Sequence, residues 1–301
     1  MDILTDILNS AGLEKMLLTR HSFYKAWAIK FPCEKSIGFH IVTQGQVYIR
    51  SPYLKKAIHL KRGDIIMIKR GFNHEIATDL NVKTKTNFNL TENKADGENS
   101  LATLVCGLYQ FQTEPIHPLF AELPDYILIK EDEISSHSPL YVAEQLLSAE
   151  LDNTELGKDS ITKSLLDIIF HYILRDWISK RSHNNYSWTR ALKDQHIQKA
   201  ISSIHGNVKK DWTVDELADV SCLSRAAFAL KFKKLTGDSP AHYLTTVRIQ
   251  KVMDLLRATD DGLEAIAEKV GYGDSFVLSK AFKRVVGVSP KEFRTQLLKE
   301  T

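Results

Sequence analysis

The hydrophobic pattern of this chain changes period once. Up to about residue 112 it reads as short strands. Ser22–Phe31 is dense in aromatic and apolar residues, Ser36–Val42 leads to a Gln44-Gly45 turn signal, and Gln46–Arg50 alternates polar with apolar. Ala57–Leu60 and Ile65–Ile68 follow, with Arg62-Gly63-Asp64 as the turn between them and Arg70-Gly71 as the next turn. Asn93–Ser100 is polar and contains Gly97, which suits a loop or hairpin tip, and Leu101–Gln112 is another strand. Strands this short and this closely spaced predict a small antiparallel barrel or sandwich. From Pro139 the period is helical. Leu140–Leu151 and Ile161–Trp177 are two helices, the second with Leu165, Leu166, Ile169, Ile173 and Leu174 on one stripe. The polar run Arg181–Tyr186 breaks the pattern, and everything after it reads helical. The fold class is therefore α+β.

The helical part contains a repeat. Ser224–Tyr243 aligns with Asp274–Phe293 at an offset of about fifty residues: Phe228 on Leu278, Phe232 on Phe282, Gly237 on Gly287, Ser239-Pro240 on Ser289-Pro290. Upstream, Leu217-Ala218 matches Ile266-Ala267. Each copy has the parts of a helix-turn-helix. Thr213 caps a first helix, Val220–Leu223 turns, and Ser224 caps a second helix that Gly237 ends. In the other copy Gly271-Tyr272-Gly273 turns, Asp274 caps and Gly287 ends. Ala241–Arg257 joins the copies without an interior Gly or Pro. Seventeen helical residues span roughly 25 Å, a spacer fit to set two helices about one DNA turn, roughly 34 Å, apart.

Charge sharpens this picture. Residues 190–301 hold 19 Lys and Arg against 14 Asp and Glu, whereas residues 1–189 hold 21 against 23. A basic C-terminal part suits a polyanion, and Arg225, Lys231, Lys233, Lys234, Lys280, Lys283 and Arg284 fall on the exposed sides of the two second helices. The overall balance, 43% hydrophobic and 26% charged, is that of an ordinary globular protein. No apolar run approaches the roughly 18 residues of a membrane helix, and residues 1–20 do not read as a signal peptide. Three cysteines, Cys33, Cys106 and Cys222, without paired spacing suit a reducing compartment, so a cytoplasmic protein without membrane association is expected. Cys222, in the first turn, reads as packing.

The run from Gly271-Tyr272-Gly273-Asp274 through Gly287-Val288-Ser289-Pro290 to Arg294 resembles the signature of the AraC/XylS family, a resemblance that covers about residues 195–299. It implies a DNA-binding domain of two helix-turn-helix units, an activator in most members, and no enzyme activity or cofactor. It also implies double-stranded DNA, RNA polymerase and a second copy of the chain as partners. Carried over by position, Ser275, Phe276, Ser279 and Lys280 face base edges or nearby backbone, with Lys280 a donor to guanine O6 and N7. Lys283 and Arg284 fall to phosphates. In the first unit the matching positions are Arg225, Ala226, Ala229 and Leu230, where many members carry polar side chains.

His40-Ile41-Val42-Thr43-Gln44-Gly45, then Gly63-Asp64, Arg70-Gly71 and His74, resemble the cupin-type sensor domain that precedes this unit in many members. Gly63, Gly71 and His74 keep the second cupin motif, with Lys69 and Thr78 replacing its usual Pro and Asn. Only His40 remains of the first motif, and Val42 holds its second His position. A catalytic cupin holds a metal on about three His and one carboxylate. Here His40 and His74, with His59 or Glu75, are the only candidates, so structural histidines are expected in place of a metal site. The alternative is a cupin-type metal enzyme fused to a DNA-binding domain. Cys106 resembles a position in reactive-chlorine-responsive members, which makes it and Cys33 candidate redox residues, with a buried inert thiol as the other reading. The expected organisation is a cupin-like β-barrel with following helices over 1–180, a linker over 181–194 and the all-α double helix-turn-helix domain over 195–301. The signal would be a small-molecule effector or an oxidant.

Overall fold

The computed structural model describes residues 2–31, 33–84, 100–111, 116–152, 154–180 and 188–300. Most of the expected Asn93–Ser100 loop, and the Arg181–Tyr186 part of the linker, lie outside these residues. Helix α1 (Ile3–Ser10) precedes the strands β1 (Leu13–Phe23), β2 (Ala28–Phe31), β3 (Ser36–Arg50), β4 (Ile58–Lys61), β5 (Ile65–Ile68), β6 (His74–Ala77) and β7 (Ala102–Phe111). After α2 (Pro118–Ala121) and β8 (Tyr126–Ile129) the chain is helical: α3 (Pro139–Asp152), α4 (Lys158–Lys180), α5 (Trp188–Ala191), α6 (Gln195–Gly206), α7 (Val214–Val220), α8 (Arg225–Thr236), α9 (Pro240–Ala258), α10 (Leu263–Val270), α11 (Ser275–Val286) and α12 (Pro290–Glu300). Contacts divide the chain into two compact units. Residues 14–110 and 123–180 form the sheet-containing unit, and residues 1–13, 111–122 and 181–301 form the helical one.

In the sheet-containing unit the strand order is β1-β7-β3-β5-β8, with β4 and β6 also on β3 and β2 on β6. The sequence reading split β3 at Gln44-Gly45 into two strands and a turn. The structure keeps one strand. Its first part pairs with β5 and β7, its last part with β4 and β6, and the register slips between Val42 and Gln44 where the strand changes partners. Gly45 lies just beyond that slip, paired with Ala102. It has φ of 71°, and a Cβ there would collide with the Leu101 carbonyl. Glycine inside a strand marks a bulge as well as a turn, and the residue pattern alone does not separate the two. The expected Ser22–Phe31 strand likewise divides, into the end of β1 and all of β2.

The core of this unit comes from the inward residues of these strands. Val42, Val47, Ile49, Leu60, Ile66, Ile68 and Ile76 are fully buried, and Leu104 nearly so, each contributing about 1.5–3 kcal/mol relative to exposure. Asp64 pins the β4–β5 turn. Its carboxylate accepts from the Lys61 and Glu131 backbone N–H groups at 2.8 and 3.0 Å and from Lys130 Nζ at 2.8 Å. Burial alone would raise this carboxyl, but those donors hold it below its ordinary value. Helix α4 buries the expected stripe from Leu165 to Trp177. It is tied to β7 by the Tyr109 hydroxyl, which donates to Asp167 at 2.7 Å, and by the Tyr109 ring stacked on Phe170.

In the helical unit α1 is capped by Asp2, whose side chain accepts from the Leu4 and Thr5 N–H groups. The sequence reading assigned no element there. Eight residues give too few turns for a clear period. Among the described residues, no helix is long and apolar enough to cross a membrane.

Candidate functional site

Each copy of the repeat folds as a helix-turn-helix for local reasons. Thr213 and Glu216 form a reciprocal capping box at the start of α7. Ala218, 2% exposed, packs where its carbonyl accepts from Leu223 N–H at 3.0 Å. Ser224 caps α8 by accepting from Ala227 N–H, and Gly237 closes it in the left-handed conformation. In the second copy Gly271 ends α10 at φ 82°, Asp274 accepts from Val277 N–H at 2.7 Å to start α11, and Gly287 ends it at φ 90°. Phe228 and Phe232 in α8, and Leu278 and Phe282 in α11, are fully buried. Val285, expected in the core, is half-buried. Cys222 does not pack as expected. It is exposed and takes φ of 55°, the only non-glycine residue with positive φ among those described.

Two arginines, Arg248 buried and Arg294 half-buried, brace the copies. Arg248 in α9, 7% exposed, donates from Nε to the Val208 carbonyl at 3.0 Å and from Nη2 to the Lys210 carbonyl at 2.9 Å. Arg294 in α12 does the same for the turn before α10, donating to the Leu256, Thr259 and Asp261 carbonyls. Hydrogen bonds from a charged donor stabilise by about 1.5–3 kcal/mol, enough to fix the turn before each helix-turn-helix against the helix that follows that unit. Gly271 lies against the Arg248-held segment, with no room for a Cβ beside the Lys209 carbonyl. The sequence reading missed both arginines. The available signal was that Arg248 interrupts the apolar stripe of α9 between Leu244 and Val252 at i+4 spacing.

The expected readout positions divide sharply. On α11 Phe276 is 77% exposed, Lys280, Lys283 and Arg284 are exposed, and none of these cations makes a salt bridge among the described residues. Ser275 is half-buried, and its N–H donates to Glu264 at 3.3 Å. The Ser279 hydroxyl donates to the Ser275 carbonyl at 2.7 Å, so only its acceptor capacity faces outward. On α8 Ala226 is exposed, Ala229 half-buried and Leu230 73% exposed. Arg225 pairs with Asp215 at 3.0 Å, and Lys231 pairs with Asp194, the cap of α6, at 2.7 Å. Lys231, read from sequence as a free surface cation, is therefore engaged.

Inside the sheet-containing unit four expected residues meet. His40 Nδ1 lies 3.0 Å from Cys106 Sγ, His40 Nε2 lies 2.9 Å from His74 Nε2, and His74 Nδ1 lies 3.3 Å from the Phe72 carbonyl and 3.8 Å from Cys33 Sγ. A carbonyl only accepts, so the Phe72 contact assigns the proton of His74 to Nδ1. His40 then donates from Nε2 and accepts the Cys106 thiol proton at Nδ1. Burial, then the neighbouring His74, holds His40 well below its ordinary range, and burial lowers His74 to about 4, so both rings are neutral. Burial raises the Cys33 thiol to about 11. The facing nitrogens are committed to each other. His59 instead bonds Gln46 at 2.9 Å and stacks on Tyr48, and Glu75 pairs with Arg50 at 3.0 Å. Among the described residues no group of three or more His, Cys, Asp or Glu side chains is arranged as metal ligands.

A second histidine network, unforeseen from sequence, lies in the helical unit. His117 Nδ1 accepts from Leu119 N–H at 3.2 Å to cap α2, which leaves the His117 proton on Nε2, 3.3 Å from the Tyr243 hydroxyl. Tyr243 then donates to His205 Nε2 at 2.8 Å. Trp188 packs edge-on against His117 at 4.5 Å.

Comparison with known proteins agrees with this geometry. A family model described as Cupin matches residues 2–179, and one described as Helix-turn-helix domain matches residues 217–296. The chain is similar to the HTH-type transcriptional regulator AlkR of Acinetobacter baylyi, with 29% identity over 98% of this chain and 100% of AlkR. It is similar to the HTH-type transcriptional regulator MtrA of Neisseria gonorrhoeae, with 24% identity over 98% of this chain and 99% of MtrA. It is also similar to the RCS-specific HTH-type transcriptional activator RclR of Escherichia coli K12, with 23% identity over 87% and 85%.

Proposed function

This chain belongs to the AraC family of transcription regulators and carries a cupin domain over residues 2–179, and from that premise we propose which of its residues act and on what. It is a DNA-binding transcription regulator with a cupin-like sensing domain. In our reading α11 enters a major groove as the principal base-reading helix. Lys280 donates to a base edge, Phe276 contacts a thymine methyl group, and Lys283 and Arg284 hold phosphates. Helix α8 enters a neighbouring groove with Ala226, Ala229 and Leu230 as apolar contacts and Arg225 at the backbone. In this reading the sheet-containing unit within residues 1–180 acts as the sensor, 181–194 as linker and 195–301 as the DNA-binding domain, in the cytoplasm. The observation that carries this reading is the cationic face of α11, which makes no salt bridge among the described residues, on a helix capped by Asp274 and stopped by Gly287.

Activation in this reading recruits RNA polymerase from a homodimer. The exposed apolar residues Val142 and Leu146 of α3 and Ile161 and Ile168 of α4 supply the contact. The signal is a small effector or an oxidant. The oxidant reading rests on the short Cys106–His40 contact, in which the ring takes the thiol proton as the sulfur reacts. Intact mass after mild oxidation tests it, with Cys106 gaining mass first. An unmodified Cys106 ends that reading.

Fluorescence anisotropy with promoter DNA tests the whole. Binding should fall linearly on a log–log plot against salt, as phosphate contacts require. No binding to any fragment at low salt would end it.

A further inference from the structure

A cavity of about 210 Å³ in the helical unit has no part in the functions described so far. It is lined by Asp6 and Asn9 of α1, His205 of α6, and Val247, Lys251 and Asp254 of α9, with Val208 at its wall. The volume lies below that of drug-sized pockets, so any occupant is small. The lining is acidic. His205 is neutral, because its Nε2 accepts from Tyr243 and burial lowers it to about 4. That leaves two carboxylates and the exposed Lys251 in the lining, with the N-terminal amine also acting on Asp6 and Arg257 on Asp254.

Asp6 makes this more than a patch of charge. It is 94% buried by its 6% residual exposure, and its Oδ1 is wholly covered without a hydrogen-bond partner. A buried carboxylate oxygen without a donor is costly and calls for one. Burial raises both carboxyls, Asp254 to about 6; the N-terminal amine opposes the rise at Asp6, and Lys251 and Arg257 oppose it at Asp254. Val208 and Val247 add apolar wall beside this charge.

We propose that this cavity is a binding site for a small organic cation, an amine whose ammonium donates to Asp6 and Asp254 while its hydrocarbon part lies against Val208 and Val247. Such a ligand joins α1 to α6 and α9, the helices that frame the first helix-turn-helix, and so acts on DNA binding. That consequence rests on the regulatory reading above. The binding itself does not.

Isothermal titration calorimetry of the full chain at neutral pH tests it, with n-butylamine as probe and butan-1-ol and butyrate as chain-matched controls. The expected result is saturable binding of butylamine alone, weaker by about tenfold or more in Asp6→Asn, weaker in Asp254→Asn and tighter in Lys251→Met. Thermal melting of each variant without probe checks folding, and the exposed Lys251→Met gives an independent arm should Asp6→Asn not fold. Equal binding of butanol, unchanged binding in the folded Asp6→Asn and Asp254→Asn variants, or no binding at millimolar amine would overturn the proposal. The last result would leave a recess holding water over a protonated Asp6. DNA binding by the same samples without amine is read separately, so failure of the regulatory reading shows there and not in the calorimeter.

Discussion

The two helix-turn-helix copies share a core and differ in their outer faces. Both start the second helix with a side-chain cap, stop it with a left-handed glycine, and have an arginine bracing the turn before the first helix. The first copy engages two of its four cations, Arg225 with Asp215 and Lys231 with Asp194, keeps Lys233 and Lys234 exposed, and shows alanines and a leucine outward. The second leaves Lys280, Lys283 and Arg284 exposed and without salt bridges among the described residues, and adds Phe276. Their interiors also part at one matched position. Tyr243 of the first bridges two histidines, whereas Phe293 of the second packs edge-on against Phe282 at 5.5 Å. Folding constrains the buried stripes and caps of both copies alike, so the differences collect where solvent, DNA or a neighbouring segment is the partner.

The largest expected effect breaks the shared frame. Gly271→Ala adds a Cβ in a left-handed conformation and against a backbone carbonyl, and should lower unfolding free energy by about 3 kcal/mol. Gly237→Ala meets open space at nearly the same φ and should cost only about 1 kcal/mol. Equal losses in urea unfolding would mean that the contact with the Lys209 carbonyl is not rigid.

Next comes the interior difference. Tyr243→Phe makes the first copy like the second and strands two histidine nitrogens, at a cost of about 1–3 kcal/mol. The same network gives a pH dependence. Burial lowers His117 to about 3 and His205 to about 4, so on acidification the unfolded chain binds protons first. Stability is whole above about pH 6.5 and declines below it, toward the folded values, by roughly 2 kcal/mol per histidine at about pH 5. The melting temperature of the isolated folded chain should fall over that window, and a flat profile would contradict neutral, buried rings.

The outer faces are compared at a DNA site. Lys280→Ala should weaken binding by about 1–3 kcal/mol and relax preference at one base pair. Leu230→Ala, which removes at most a methyl contact, should cost less than about 1 kcal/mol. Smallest is Lys283→Ala, which should weaken all sequences alike and reduce the salt slope by about one. Anisotropy titrations on matched and mismatched duplexes read all three.

Much of the helical unit was legible in sequence, because caps, glycine stops and apolar stripes are local signals. Ser224, Asp274, Gly237 and Gly287 each do what their chemistry predicts. The strands were less so. Gly45 looked like a turn and proved to sit inside one continuous strand, just beyond a register slip. The interior chain of Cys33, His74, His40 and Cys106 was visible only as separate candidates, as their meeting depends on the register of β3 with β7 and on where β6 returns. His117 and His205 gave no signal, being 88 residues apart and joined through Tyr243. Lys231 was misjudged because its partner Asp194 comes from another helix.

The central claim is that one copy reads sequence while the other mainly holds position. Selection of bound duplexes from a random library, followed by sequencing, tests it most directly. The account predicts one strongly specified half-site and, about 10 base pairs away, a second with weak preference, chiefly for thymine. Two half-sites of equal information would contradict it.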